Sequence, residues 1–237
     1  MSDKPGGWSD GEIAGFDAIA YALAPLTEVL RLRMLSIAVS EAYLGERSAQ
    51  RVLGGQITRG HIERLNAAVL ISDIRGWTSL NTLLPAEEAV AKANTYFDLM
   101  AKCIDAYQGE ILKFLGDGIL AIFPADEDPA LACRNAMAAA QMALSESHAL
   151  NLNFGIGLHM GDVMYGNIGA ESRLDFTVLG QAVNIAARIE AKCKALHHPL
   201  LMSADLAGQL DIPTLDLGAF ELKGLSEPQH IHTAAQP

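Results

Sequence analysis

Cysteine is scarce in this chain: Cys103, Cys133 and Cys193 are the only three in 237 residues. They are odd in number and widely spaced, with no CxxC pair and no Cys/His ligand spacing. That excludes a disulfide framework and a zinc ribbon, and it points to reduced thiols in a cytoplasmic protein. Basic residues are also few, 17 Lys and Arg against 28 Asp and Glu, for a formal net charge of −11. General nucleic-acid binding needs a basic face and is excluded on that ground. A small anionic ligand would need metal ions or local cations to overcome the field of the whole molecule. No Gly-Lys dipeptide occurs, which removes the Walker A loop. Gly155, Gly157 and Gly161 lack the GxGxxG spacing of a dinucleotide loop. No 18-residue uncharged apolar run exists, because Glu28, Arg31, Arg33 and Glu41 interrupt the best stretch. The N-terminus has neither the basic region nor the apolar core of a secretion signal. The sequence therefore predicts a soluble protein with no integral membrane segment.

What is present is a globular composition, half hydrophobic and 19% charged. The pattern is helical from about Glu12 to Leu44, with a break or kink expected at Pro25. Leu26, Val29, Leu30, Leu32, Met34, Leu35, Ile37 and Ala38 give that segment a face broad enough to suit self-association. Residues 45–65 read as a connector. The chain thus divides into an N-terminal helical segment and connector over 1–65, with a dimerisation or regulatory role, and a domain over 66–237.

In that domain a buried-strand run at 67–72 ends at Asp73, and a glycine bend follows at 74–80. Pro85 with Glu87 and Glu88 starts a helix that Gly109 stops. Ile, Leu and Phe runs flank Gly116-Asp117-Gly118 over 111–123, a strong hairpin signal. A second, alanine-rich helix spans 127–149. A strand at 152–160 is expected to turn at Gly161-Asp162 and return over 163–169. A helix runs from Gly180 to about Lys194, and short strands lie near 199–202, 215–222 and 229–233. The fold class is α+β: a ferredoxin-like βαββαβ core with C-terminal additions, its sheet mixed but mainly antiparallel, with helices on one face.

Two constellations carry chemistry. Asp73 ends one strand and Asp117 tips the neighbouring hairpin, so two carboxylates meet and repel. Hard divalent ions such as Mg²⁺ relieve such pairs, taking their remaining ligands from water and phosphate oxygens. Asn184 and Arg188 stand at i and i+4 on one helix face, an amide and a guanidinium suited to a sugar oxygen and a phosphate.

Residues 67–237 resemble the catalytic domain of the class III nucleotidyl cyclases. The resemblance is carried by Ile71-Ser72-Asp73-Ile74-Arg75-Gly76-Trp77-Thr78, by Lys113-Phe114-Leu115-Gly116-Asp117-Gly118, and by the run from Phe176 to Arg188, in the family's order and spacing. Leu222-Lys223-Gly224 is similar to the family's closing signature. The resemblance implies that Asp73 and Asp117, with the Ile74 carbonyl, hold two divalent ions, Mg²⁺ or Mn²⁺. It implies backbone contacts from Gly76, Trp77 and Thr78 to phosphates, and purine selection by Lys113 and Thr177, a pair that favours ATP. Asn184 would orient the ribose and Arg188 would stabilise charge on the α-phosphate, with Arg173 and Lys223 as further triphosphate contacts. Because metal ligands and the Asn/Arg helix come from different chains in this family, a homodimer with two equivalent sites is implied. The expected activity is ATP to 3′,5′-cyclic AMP and pyrophosphate. A guanylyl or promiscuous purine cyclase and a catalytically silent nucleotide-binding module are the alternatives.

Overall fold

The computed structural model describes residues 7–58, 60–125 and 128–235. The chain divides into two units between Gly55 and Gln56.

The first unit holds α1 (Asp10–Leu44) and α2 (Glu46–Leu53). Ser9 and Glu12 form a reciprocal capping box that starts α1. Of the break or kink expected at Pro25, a break does not occur: α1 runs through the proline as one helix. Proline removes one backbone donor, and on a helix with no buried residue the carbonyl it leaves behind is open to water. Nor are residues 45–65 a plain connector, since α2 occupies eight of them. Large apolar side chains on α1, among them Ile19, Leu26, Val29, Leu30 and Met34, stand exposed. The best 18-residue window of α1 has a mean hydropathy of 1.4, so this helix is long and apolar enough to cross a membrane. Counting only uncharged runs overlooks it, because such a window tolerates two charges.

The second unit is built on an eight-stranded sheet. Its elements are β1 (Ile62–Ile74), α3 (Trp77–Leu83), α4 (Ala86–Ala106), β2 (Glu110–Leu115), β3 (Gly118–Pro124) and α5 (Pro129–Ser147). They continue with β4 (Phe154–Ala170), β5 (Arg173–Leu179), α6 (Gln181–Lys192), β6 (Leu200–Ser203), α7 (Ala204–Ala207), β7 (Thr214–Phe220) and β8 (Gln229–Ala234). The sheet order is β2-β3-β1-β4-β6-β8-β7, with β5 paired to β4. The first four strands have the ferredoxin-like order, and β4–β6 is the parallel pairing among antiparallel ones. Residue 127, where the alanine-rich helix was expected to begin, lies outside the described residues.

Helices cover both faces of the sheet rather than one. Alternate residues of β1, β3 and β4 (Leu70, Ile119, Ile156 and Leu158 among them) pack with Tyr96, Met100 and Ile104 of α4 and Ala136 and Ala140 of α5. The opposite face receives α6, whose Ile185 and Ile189 cluster with Leu201, Leu222 and Ile231.

This second layer explains a further difference. Residues 152–169 do not form a hairpin: β4 is one 17-residue strand, with Gly161 opposite Ala67 and Asp162 opposite Asn66 in an unbroken ladder with β1. The glycines serve the approach of α6. A Cβ on Gly155 would stand 2.4 Å from Glu190 Oε1, one on Gly157 2.4 Å from the Ala186 oxygen, and one on Gly161 3.0 Å from the Ala182 Cβ. Glycines at alternate strand positions let a helix backbone settle on the sheet.

Candidate active site

The strand end carrying Asp73 and the hairpin carrying Asp117 are adjacent. Asp73 pairs with Gly118, and the Ile74 amide donates to the Asp117 carbonyl at 3.3 Å. Leu115 and Gly118 close a two-residue turn in which Gly116 takes the positive φ, 69°. This is the pattern of a II′ hairpin with glycine first. Asp117 is thus not required by the turn geometry. A Cβ at 118 would meet the Ser72 carbonyl at 2.8 Å and Asp73 Oδ1 at 3.2 Å, so glycine lets the Asp73 carboxylate lie against the hairpin. Burial, then the charge and hydrogen bonding of Asp117, push the Asp73 carboxyl up to about 6. From behind, the strand is tied to α4 by the buried Tyr96 hydroxyl, which donates to Ser72 Oγ at 2.8 Å.

A third carboxylate adjoins this pair and escaped the sequence reading. Glu190 of α6 is pushed up to about 7 by burial and then by the charge of Asp73, with Asp117 adding and Arg75 opposing. Its one sequence signal is an acid beside the apolar stripe Ala182, Ile185, Ala186 and Ile189. The Arg75 guanidinium is anchored by donating from Nη2 to the His198 carbonyl at 2.9 Å. Among the described residues no group of three His, Cys, Asp or Glu side chains is arranged to hold a metal ion. The Asp73–Asp117 pair still fits hard divalent ions, because both donors are oxygen and such ions draw their other ligands from water and phosphate.

Asn184 and Arg188 lie on the side of α6 turned away from the sheet, while Ala182, Ala186 and Ile189 are buried beneath it. Glu190 follows Arg188 by two residues, so the two project on nearly opposite sides of the helix. The carboxylate side meets Asp73. The guanidinium side meets Gly224, whose added Cβ would lie 3.5 Å from Arg188 Nη2 and whose φ is +84°. Lys223 stands next to it, in a segment from Glu221 to Pro228 that lines a cavity of about 510 Å³. The structure thus brings Arg188 and the Lys223-Gly224 pair together, and Asp73 and Asp117 together, on separate sides of α6.

Gly76 has φ 72° and precedes α3, so Trp77 and Thr78 form the first turn of a helix rather than an open bend. Trp77 packs partly against the α4/α5 core. Thr177 is buried on β5 opposite Gly166. Arg173 stands exposed at the start of β5, opposite Ala170. Lys113 forms an ion pair with Asp175 of β5, a partner the sequence reading also missed.

The second unit is similar to a family of known proteins. The adenylate and guanylate cyclase catalytic domain model matches residues 62–233. An adenylate cyclase of Anabaena cylindrica is 34% identical over 154 residues, covering 61% of this chain but 31% of that protein. The chain thus spans about a third of the length of such curated relatives. Among solved structures, a bacterial light-regulated adenylyl cyclase superposes with a TM-score of 0.78 at 28% identity, over 90% of this chain and 65% of that one. The guanylyl cyclase Cya2 superposes with a TM-score of 0.62 at 32% identity, over 74% of this chain and 95% of that one. With that domain model matched over residues 62–233, the chain belongs to the class III adenylate and guanylate cyclases.

Proposed function

We propose that this protein is an adenylyl cyclase that converts ATP to 3′,5′-cyclic AMP and pyrophosphate at sites shared between two copies of the chain. The observation that carries the reading is the two-sidedness of α6. Its Glu190 side lies with Asp73 and Asp117, while its Asn184 and Arg188 side faces away beside Lys223 and Gly224. One chain holds both half-sites but aims them apart, and a homodimer lets the halves of two chains close on one nucleotide.

In this reading Asp73 and Asp117, with the Ile74 carbonyl, hold two divalent ions, Mg²⁺ or Mn²⁺. Bound there, such ions would supply Lewis acidity to the ribose 3′-hydroxyl and counter-charge to the triphosphate and the leaving pyrophosphate. Asn184 orients the ribose, and Arg188 meets the negative charge that grows on the α-phosphate. Backbone amides at Gly76, Trp77 and Thr78, at the start of α3, meet phosphate oxygens. Lys223 lies where a triphosphate contact would accompany Arg188, and Arg173 is the outlying member of the set. Lys113 donates to an acceptor on the adenine edge and Thr177 completes the selection. The helical segment before the domain is assigned to holding the two chains together. Charging its apolar face with Leu26→Lys and Leu30→Lys should then lower the dimer fraction in sedimentation; an unchanged fraction removes that role.

The 32% identity to the guanylyl cyclase Cya2 favours one competing reading, a guanylyl or promiscuous cyclase. Purified protein incubated with Mg²⁺ or Mn²⁺ and either ATP or GTP separates them. Cyclic AMP in clear excess supports the proposal, equal turnover of GTP transfers it to the alternative, and no cyclic product from a verified dimer ends the enzyme reading.

A further inference from the structure

Ser72 breaks the apolar pattern of β1. Ala68, Leu70 and Ile74 enter the α4/α5 core, and Ser72 stands in the same alternation, fully buried. Its Oγ accepts a hydrogen bond at 2.8 Å from the hydroxyl of Tyr96 on α4, which is likewise fully buried. One residue on, Asp73 points to the opposite face, toward α6. Its ladder partner there is Gly155, over which the Glu190 carboxylate lies. Successive residues of one strand end thus serve the core and the site.

The Tyr96 ring makes a second contact with the same strand end. It packs on Phe154 with 5.2 Å between ring centroids, and Phe154 is the ladder partner of Ile74. One side chain of α4 therefore holds the residues on either side of Asp73, Ser72 directly and Ile74 through Phe154. β1 ends at Ile74, and the ends of elements are where structure frays most readily. Asp73 is also where force is applied, since the Asp117 carboxylate repels it and an ion held there would pull on it. Stability alone does not call for the two hydroxyls. A buried pair of this kind adds little net free energy, and replacing both members by apolar groups of similar shape is close to neutral. Removing one member leaves the other buried without its partner.

We infer that Tyr96 and Ser72 are positioning residues for the metal site: their hydrogen bond fixes the end of β1 so that the Asp73 carboxylate and the Ile74 carbonyl stand where they share an ion. The inference rests on the metal-holding role given to Asp73 above. Its test is binding of Mn²⁺ alone to the full chain, followed by loss of the free-ion electron paramagnetic resonance signal, beside thermal melts in EDTA. Tyr96→Phe and Ser72→Ala should each weaken Mn²⁺ binding about tenfold, the lower end of what residues behind metal ligands contribute. Each should also lower the melting temperature by a few degrees. The double variant Ser72→Ala/Tyr96→Phe should regain the wild-type melting temperature, because no hydroxyl is left without a partner, yet bind Mn²⁺ as weakly as either single variant. A merely structural pair does not produce that split. If Mn²⁺ affinity recovers in the double variant together with the melting temperature, or if Tyr96→Phe binds Mn²⁺ like wild type, the inference is overturned and the metal reading stands. A wild type that takes up no Mn²⁺, or an Asp73→Asn chain that binds it as wild type does, removes the metal from Asp73 and overturns that reading and the inference together.

Discussion

Gly157 of β4 lies directly under α6: a Cβ built on it would stand 2.4 Å from the carbonyl oxygen of Ala186 and 2.4 Å from the amide nitrogen of Glu190. Both neighbours are backbone, so no side-chain rotation relieves the clash. Gly157→Ala must push the helix off the sheet. Overpacking of this kind costs about 1–3 kcal/mol, and Asn184 and Arg188 ride on the displaced helix. The expected outcome is a lowered melting temperature together with loss of most cyclic-nucleotide formation. A variant with wild-type melting and turnover would show that α6 tolerates a wider separation.

The same glycines mark where the sequence was read well and where it was not. The β2–β3 hairpin was legible because Gly116-Asp117-Gly118 between apolar runs has one strong local meaning. The strand end at Asp73 was legible because Val69, Leu70 and Ile71 precede it. Gly161-Asp162 carries a similar turn signal, yet β4 runs straight through it. What the glycine spares there is a clash with Ala182, twenty-one residues later, and no local pattern reveals that. Glu190 and Asp175 were missed for a related reason. Each gains meaning from a residue on another element, Asp73 for the first and Lys113 for the second. Lys113 itself faces β5 only because Leu112 bulges, which periodicity along β2 does not disclose.

Asp117→Asn should stabilise the metal-free chain while silencing the enzyme. The Asp117 carboxylate raises the cost of a charged Asp73 beside it, and removing one of two adjacent charges relieves that repulsion. Under the proposed mechanism the same change removes a metal-binding oxygen, and turnover should fall roughly a hundredfold or more. Thermal melts in EDTA should show the variant at or above wild type. Added Mg²⁺ or Mn²⁺ should raise the melting temperature of wild type but not of Asp117→Asn. Equal stabilisation of both by metal would remove Asp117 from the binding set.

Mixing two inactive variants tests the shared site. Asp117→Ala removes a residue on one side of α6's contacts and Arg188→Ala removes one on the other. If the sites are shared between two chains as proposed, one site of a mixed dimer carries both lesions and the other carries neither. Chains exchanged to a statistical mixture should regain roughly a quarter of wild-type activity: half of the dimers are mixed, and each has one of two sites intact. Each variant alone should remain inactive. Verified mixed dimers that stay inactive would place the Asp pair and Arg188 in the same chain's site.

Acid sensitivity should centre on His159, which is buried on β4 with Nδ1 2.8 Å from Ser203 Oγ. Ser203 Oγ also accepts from the Leu206 amide at 3.3 Å. Burial pushes the His159 pKa down to about 4, with the Asp205 carboxylate only partly opposing. An unfolded chain protonates this histidine near its ordinary value of 6.5, so the unfolded state binds more protons between those limits. The stability this group contributes is complete above pH 6.5 and is lost as pH falls toward 4. The loss amounts to about 2 kcal/mol by pH 5 and roughly 3 kcal/mol by pH 4. Asp73 and Glu190, whose carboxyls are raised, act in the opposite sense: their contribution is present at low pH and is lost as pH rises through about 6 and about 7. Comparing wild type with His159→Asn cancels those two groups, since both proteins carry them. Urea unfolding at pH 8 and pH 5 should therefore show wild type losing about 2 kcal/mol more than the variant. Equal losses would mean that His159 gains a proton without cost and that its burial does not hold the ring neutral.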